Sequence, residues 1–171
     1  IEEFFKGEEY RFLVIGDKTE AILKREPANI TGDGVHTIKE LIEIKNNDPS
    51  YYRYSDIQLG AVEKKILASQ KLNAKSLLKK GKKLYLRHNS NVSTGGDPID
   101  VTDTIDPSYK KIALKAAQAL ETKICGIDML INSSGYSIIE LNYNPTLFIH
   151  TFPYKGEGRG VAKAVLTLLG F

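Results

Sequence analysis

Asp128, Glu140, Asn142 and Asn144 are the side chains whose types and spacing could do chemistry together. They fall within GIDMLINSSGYSIIELNYNP, residues 126–145, where apolar and polar residues alternate on both sides of a turn. That is the pattern of a β-hairpin with one buried face. Ser133-Ser134-Gly135 reads as a three-residue loop, with Gly135 at the position that needs a positive φ. Counting outward sets Asn132 opposite Tyr136, Leu130 opposite Ile138, Asp128 opposite Glu140 and Gly126 opposite Asn142, all on one face. Ile127, Met129, Ile131, Ile139 and Leu141 take the other face, a core surface. Two opposed carboxylates repel unless a cation stands between them. Hard oxygen donors of this kind suit Mg²⁺, which takes one or two protein carboxylates and completes its shell with water and nucleotide phosphates. The same alternation also describes the solvent face of an amphipathic hairpin, so the neighbouring elements have to decide.

The elements that would position these groups fit in a chain of ordinary globular composition. The 171 residues are 42% hydrophobic, enough for a real core in one domain or two small lobes. With 24 basic and 21 acidic residues the net charge is only +3, and the densest basic cluster, Lys79-Lys80-Gly81-Lys82-Lys83, reads as a solvated turn. Nucleic acid is therefore not expected as a partner. A single cysteine, Cys125, excludes an internal disulfide and has no evident histidine partner, so it is expected to be a small buried hydrophobe. No apolar run has transmembrane length and the start does not resemble a signal peptide, which points away from a membrane and to the cytoplasm. His36, His88 and His150 show no metal-ligand spacing, so zinc is not expected. Ile1-Glu2-Glu3-Phe4-Phe5 reads as an extended segment already under way, which raises the expectation of a fragment of something longer.

Taken in order, Tyr10–Ile15 and Ala21–Pro27 form a second antiparallel pair around Gly16-Asp17-Lys18. Thr37-Ile38-Lys39-Glu40 is a capping box that opens a helix to about Asn46. Residues 47–56, with Tyr51, Tyr52 and Tyr54, form a loop whose tyrosines pack within it or could form a shelf for a ligand. A helix is expected over about 57–70 with Leu59, Val62 and Ile66 on one side, and another from Ala74 to Lys80, stopped by Gly81 and followed by a strand at Leu84–Arg87. His88 to Asp97 is a polar stretch whose glycines could bring backbone N–H groups to an anion, or could form a loop without a ligand. Asp106 caps a helix with Pro107 at its first position, running to Leu120 and lying on the buried face of the sheet. A second glycine-rich polar loop, Thr146–Gly160, carries His150, Lys155 and Arg159, and a last helix follows with Val161, Ala162, Val165, Leu166 and Leu169 toward the core.

These pieces together resemble the carboxyl-terminal part of an ATP-grasp ligase. The resemblance rests on a hinge at Glu2-Glu3-Phe4-Phe5, a glutamate in Gly7-Glu8-Glu9-Tyr10, the strand end Lys24-Arg25-Glu26-Pro27-Ala28 and the hairpin itself. Arg25-Glu26-Pro27-Ala28, Gly32–Ile38 and Leu86–Gly96 are similar to the glutathione synthetase module of bifunctional glutamate-cysteine ligase/glutathione synthetases, and cyanophycin synthetases have closely similar segments. The resemblance implies an α+β fold, an antiparallel sheet packed by helices, with the amino-terminal ATP-grasp lobe and its phosphate-binding lysines missing. It implies that Glu2, Glu3, Phe4 and Phe5 hold adenine, that Glu9 binds ribose, and that Asp128, Glu140 and Asn142 carry Mg²⁺, or Mn²⁺ in its place, on the triphosphate of ATP.

Arg25 matches a basic position near the phosphates, and Asn91–Gly96 a loop that closes over an acyl phosphate and the incoming amine; Arg87 and Asn91 join Arg25 as catalytic candidates. The activity implied is ATP-dependent joining of a carboxylate to an amine, with γ-glutamylcysteine and glycine giving glutathione. A cyanophycin-type amino-acid ligase and a nucleotide-binding domain without turnover are the alternatives. The partners implied are ATP, small peptide or amino-acid substrates, the remaining domains of the same polypeptide, and a second copy if the enzyme is a homodimer. One departure stands out: many D-alanine–D-alanine ligases place an arginine where this chain has Gly126, which leaves Arg25, Arg87 or Arg159 to supply that charge.

Overall fold

The computed structural model describes residues 4–51 and 53–171. In chain order the elements are β1 (Glu8–Ile15), β2 (Lys18–Glu26), β3 (Asn29–Thr31), α1 (Ile38–Asn46), α2 (Ala61–Ser69), β4 (Lys83–Tyr85), β5 (Asp97–Asp100), α3 (Pro107–Ala119), β6 (Ile124–Asn132), β7 (Gly135–Asn142), α4 (Phe148–Thr151) and α5 (Val161–Leu168). They fall into two units, Ile1–Arg25 with Pro98–Phe171, and Glu26–Asp97.

The first unit is built on a five-stranded sheet of order β5-β2-β1-β6-β7, in which β1 pairs antiparallel with β2 and β6, and β6 antiparallel with β7. Its two faces follow from period-two alternation along β1. Phe12 and Val14 point to one side, where with Ile22, Cys125, Ile127 and Met129 they pack against Ala113 and Ala117 of α3. Small residues on that helix let it lie close on the strands, and the expected cap is present: the Asp106 side chain accepts from Ser108 N with Pro107 at the first helical position. Cys125 is an inert part of this core, its thiol pKa pushed up by burial. Leu13, Ile15 and Ala21 point to the other side, under Val161, Ala164, Val165 and Leu168 of α5. Ala162 and Leu166 on that helix and Leu169 just past its end, expected in the core, are exposed. Continuing along the same face of β1, Leu13 is followed at the two-residue period by Arg11 and Glu9.

The second hairpin differs from the sequence expectation in its turn. β6 ends at Asn132 and β7 begins at Gly135, with Asn132 opposite Gly135, so the loop is the two residues Ser133-Ser134. This moves the register by one near the turn, and Leu130 faces Ser137 in place of Ile138. A bulge between Asp128 and Met129 then absorbs one extra residue of β7, Ile139, and restores Asp128 opposite Glu140 and Gly126 opposite Asn142. The slip corrects the expected core: Ile138 and Tyr136 are turned to the α3 side, where Tyr136 meets Tyr109 edge-on, yet stay 37% and 46% exposed, and Ile139 is 55% exposed.

In the second unit β3 and β4 form an antiparallel pair, and Ala28, Ile30, Ile38, Leu41, Ile42, Ile57, Leu67, Leu78, Leu84 and Leu86 form its core. The capping box of α1 is present in both directions, Thr37 N donating to Glu40 and Glu40 N to Thr37 Oγ1. Helix α2 begins four residues later than expected and turns Leu67 and Glu63 inward, leaving Val62 exposed. Glu63 occupies a core position because Arg87 bonds its carboxylate and Gly60 N donates to it. The expected helix over 74–80 is irregular: its carbonyls are taken by neighbours, Ala74 O by Lys39 N, Ser76 O by Ile38 N and Leu78 O by Gly34 N. In the His88–Asp97 stretch, for which an anion-facing loop and a loop without a ligand were both open, the glycines are closely packed: a Cβ on Gly95 would lie 2.8 Å from Ile57 and one on Gly96 2.7 Å from Ser90 O.

Candidate functional site

The face of the first unit's sheet that is apolar under α5 becomes a charged cluster farther along the strands. Register explains the convergence: β1 sets Arg11 opposite Asp128 and Glu9 opposite Arg25, and the bulged hairpin sets Asp128 opposite Glu140. Five charged side chains from four strands thereby share one patch. Arg11 bonds Asp128 in bidentate fashion, Nε to Oδ1 and Nη2 to Oδ2 at 2.7 Å. Arg25 Nη1 reaches Asp128 Oδ2 at 3.0 Å and Glu9 Oε1 at 2.9 Å. In the Asn142 amide orientation that satisfies both neighbours, its nitrogen donates to Glu140 Oε1 at 3.1 Å and its oxygen accepts from Arg11 Nη2 at 3.2 Å. Asp128 and Arg25 are buried, Asn142 is half-buried, and Glu140 is exposed, so the cluster opens to solvent at its β7 side.

Arg11 is the residue that sequence reasoning missed. A Cβ on Gly126 would stand 2.9 Å from Arg11 Cδ and 3.1 Å from Pro145 Cβ, so glycine at that position is what lets the Arg11 stem lie across β6. The Arg11 side chain thus passes over Gly126 from the neighbouring strand, a cation at that position besides Arg25, Arg87 and Arg159, the three expected to supply charge there. The signal was in the sequence: Arg11 is a lone charge in an apolar run, two residues from Glu9 and so on its face.

The other expected residues divide between the two units. Asp128, Glu140, Asn142, Arg25 and Glu9 are together as described. Glu2 and Glu3 lie outside the described residues, as does Tyr52; Phe4 is exposed and Phe5 half-buried in the irregular segment before β1. Arg159 is bound to Asp100, with Nη2 to Oδ2 at 2.6 Å, and to Asp103. Arg87 and Asn91 belong to the second unit. Arg87 holds Glu63, and Asn91 precedes a 3₁₀ turn over Val92–Thr94, its carbonyl accepting from Thr94 N and Oγ1.

Among the described residues no group of three or more His, Cys, Asp or Glu side chains is arranged to hold a metal. The candidate set is two carboxylates and an amide, all hard oxygen donors, which fits Mg²⁺ in chemistry. In position it is occupied by a cation of another kind, since Arg11 is hydrogen-bonded to both oxygens of Asp128 and to that of Asn142.

His150, in α4, is a further buried polar group of this unit that the sequence placed only in a loop. It is 0% exposed and neither ring nitrogen has a hydrogen-bond partner among the described residues. Burial, reinforced by the Arg11 charge, holds its pKa down at about 3, so the imidazole is neutral.

The family model for the RimK-like ATP-grasp domain matches residues 37–155. The chain is 51% identical to the glutathione biosynthesis bifunctional protein GshAB of Clostridium perfringens, over 99% of this chain and 23% of that protein. It is 49% identical to the protein of the same name from Listeria welshimeri, again over 99% of this chain and 23% of that one. Its fold is similar to the crystal structure of a bifunctional glutathione synthetase from Pasteurella multocida, with a TM-score of 0.84 and 39% identity over 98% of this chain and 25% of that chain. The chain thus spans about a quarter of the length of the relatives it matches.

Proposed function

The chain belongs to the RimK-like ATP-grasp family, and from that premise we propose that it is the carboxyl-terminal part of an ATP-grasp domain in a larger cytoplasmic enzyme that makes glutathione from γ-glutamylcysteine, glycine and ATP. The observation that carries the reading is the meeting of Arg11, Arg25, Asp128, Glu140 and Asn142 on one face, open at Glu140. A nucleotide phosphate and a substrate carboxylate are both anions, and transfer of a phosphoryl group between them is governed by positioning and charge neutralisation. Asp128, Glu140 and Asn142 would hold Mg²⁺, or Mn²⁺, which when bound supplies neutralisation of the phosphate charge. Arg11 and Arg25 present planar donor forks that suit carboxylate or phosphate oxygens. Glu9 orients Arg25 through the 2.9 Å contact and remains the candidate for ribose hydroxyls. Arg87 and Asn91 remain candidates in the second unit for the step in which the amine displaces phosphate, and Glu2 to Phe5 for adenine.

The reading is tested on the full-length polypeptide that carries this chain, supplied with ATP, Mg²⁺ and pairs of acceptors. Glutathione and ADP in equal amounts from γ-glutamylcysteine and glycine are expected. Turnover with aspartate and arginine in their place would assign a cyanophycin-type ligase, and no ADP release with any carboxylate would leave a nucleotide-binding domain.

A further inference from the structure

We propose that Arg11 and a divalent cation compete for the same oxygen atoms, so that binding of the metal and release of the Arg11 guanidinium to an anionic ligand are one coupled event. The inference rests on the metal reading given above and deepens it. Of the three metal donors in that reading, two hold their oxygens against one side chain. Arg11 donates through Nε and Nη2 to the two oxygens of Asp128 and through Nη2 to the oxygen of Asn142 at 3.2 Å. The third, Glu140, is tied to the same group at one remove, because its Oε1 accepts from the Asn142 nitrogen at 3.1 Å. Asp128 Oδ2 also accepts from Arg25 at 3.0 Å, so both of its lone-pair directions are used.

A cation coordinated by these oxygens would stand within a few ångström of the guanidinium. The Arg11 and Asp128 side chains are only 11% and 7% exposed, so water screens that repulsion poorly. The two cations therefore exclude each other, and Asn142, freed from Arg11, can turn its oxygen to the metal. The geometry lets Arg11 leave without disturbing the strand. Its stem is seated on Gly126, where the lack of a Cβ leaves room, and the outer torsions carry the head. The head remains a bidentate donor beside the site, and its next partner is an oxyanion, either the carboxylate of an acidic peptide or a nucleotide phosphate. By linkage the metal and that anion each strengthen the binding of the other.

The test uses Mn²⁺ as the probe on the full-length polypeptide, with bound and free ion distinguished by electron paramagnetic resonance. Arg11→Met keeps an apolar stem on Gly126 and removes the fork. It is expected to bind Mn²⁺ roughly tenfold more tightly than wild type when no other ligand is added, with Arg11→Lys in between. Equal or weaker binding by a folded Arg11→Met protein overturns the proposal. A measurement on wild type alone guards against a variant that fails to fold: γ-glutamylcysteine or ADP, whichever supplies the anion, should raise Mn²⁺ affinity several-fold, and no change with either overturns the coupling. At saturating Mn²⁺, whichever of γ-glutamylcysteine and ADP loses affinity in Arg11→Met is the source of the anion that the fork takes; loss by neither overturns that half of the proposal. Glu140→Gln separates the two layers. If it leaves wild-type Mn²⁺ binding intact, the metal assignment itself is wrong and the competition falls with it; if it abolishes binding while Arg11→Met equals wild type, only the competition is wrong.

Discussion

Asp128 in the first unit and Asp97 in the second are both buried carboxylates gripped by two cationic side chains, and what surrounds each grip is different. Asp97 is 1% exposed, with Lys45 at 2.6 Å, Arg53 at 3.2 Å and the Asn29 amide at 2.8 Å. Its partners are themselves tied inward, Lys45 Nζ to Asn29 O and Arg53 Nη2 to Gly95 O, so that α1, β3 and the turn before β5 are clamped to one point. Burial pulls the Lys45 pKa down and the Asp97 charge pulls the other way. Asp128 has a similar pair of cations, but they are followed outward by half-buried Asn142 and exposed Glu140. A buried ion pair says little about function until its outward side is known: closed on every side it fixes a fold, open on one side it can exchange a partner.

The largest effect expected is on the closed side. Asp97→Ala leaves Lys45 and Arg53 facing each other in a buried setting, at a cost of about 3–5 kcal/mol. The urea midpoint of proteolytic protection for the second unit should fall accordingly. If Asp128→Asn lowers the midpoint of its own unit by as much, the two aspartates are alike and the comparison collapses.

Glu140→Gln tests the open side. An exposed residue contributes little to stability, so the unfolding midpoint should stay within about 0.5 kcal/mol of wild type. Turnover of the full-length enzyme, by contrast, should drop roughly a hundred- to a thousandfold, about 2.7–4 kcal/mol in the barrier. Unchanged turnover at saturating Mg²⁺ would remove Glu140 from the site.

Gly126→Ala sits between these extremes, because it acts on the fit of Arg11 and not on its charge. The new Cβ would meet Arg11 Cδ at 2.9 Å and must displace the stem, a cost of about 1–3 kcal/mol. Combined with Arg11→Ala, which removes that stem, the penalty should largely vanish in a double-mutant cycle; additive losses would mean that Pro145 is the obstacle.

The parts of this arrangement that were legible in the sequence are those set by local rules. The capping box at Thr37, the Asp106-Pro107 helix start and the strand alternation all appear as expected. The facing of Asp128 and Glu140 was reached with a turn one residue too long, and holds because the bulge at Ile139 compensates for the shorter loop. Such a bulge has no signature in a period-two pattern, which is also why Ile139 was assigned to the core. What local rules could not show is pairing across distant strands. Arg11 meets Asp128 across 117 positions, Glu63 is buried because Arg87 arrives from β4's far end, and residues 74–80 lose their helix to the needs of α1 and the Gly34 turn. Asp97 read as the end of a polar loop for the same reason.

His150 supplies the smallest expected effect at neutral pH and a third kind of buried polar group, one kept neutral and without a hydrogen-bond partner among the described residues where the two aspartates are charged and paired. Its folded pKa is about 3, below the ordinary value of 6.5, because burial and then the Arg11 charge oppose protonation, with Asp100 pulling weakly the other way. Between those values the unfolded chain binds a proton that the folded chain does not, so stability is fully present above pH 6.5 and is lost as pH falls. The slope is at most about 1.4 kcal/mol per pH unit, and the range from 6.5 to 5 isolates it, since carboxylates titrate lower. His36 works against it: its exposed imidazole has a pKa raised by the Asp33 hydrogen bond, which favours the folded state as pH falls through the same range. The difference between wild type and His150→Met cancels that contribution, because His36 is present in both. Methionine fills a similar volume and removes two unpartnered nitrogens, so at pH 7.5 the variant should match wild type or exceed it slightly. From pH 7 to pH 5 wild type should lose about 2 kcal/mol relative to the variant; parallel curves for the two proteins would show that the His150 ring finds a proton or a partner inside the fold, and that the first unit has a second polar group able to exchange partners beside Arg11.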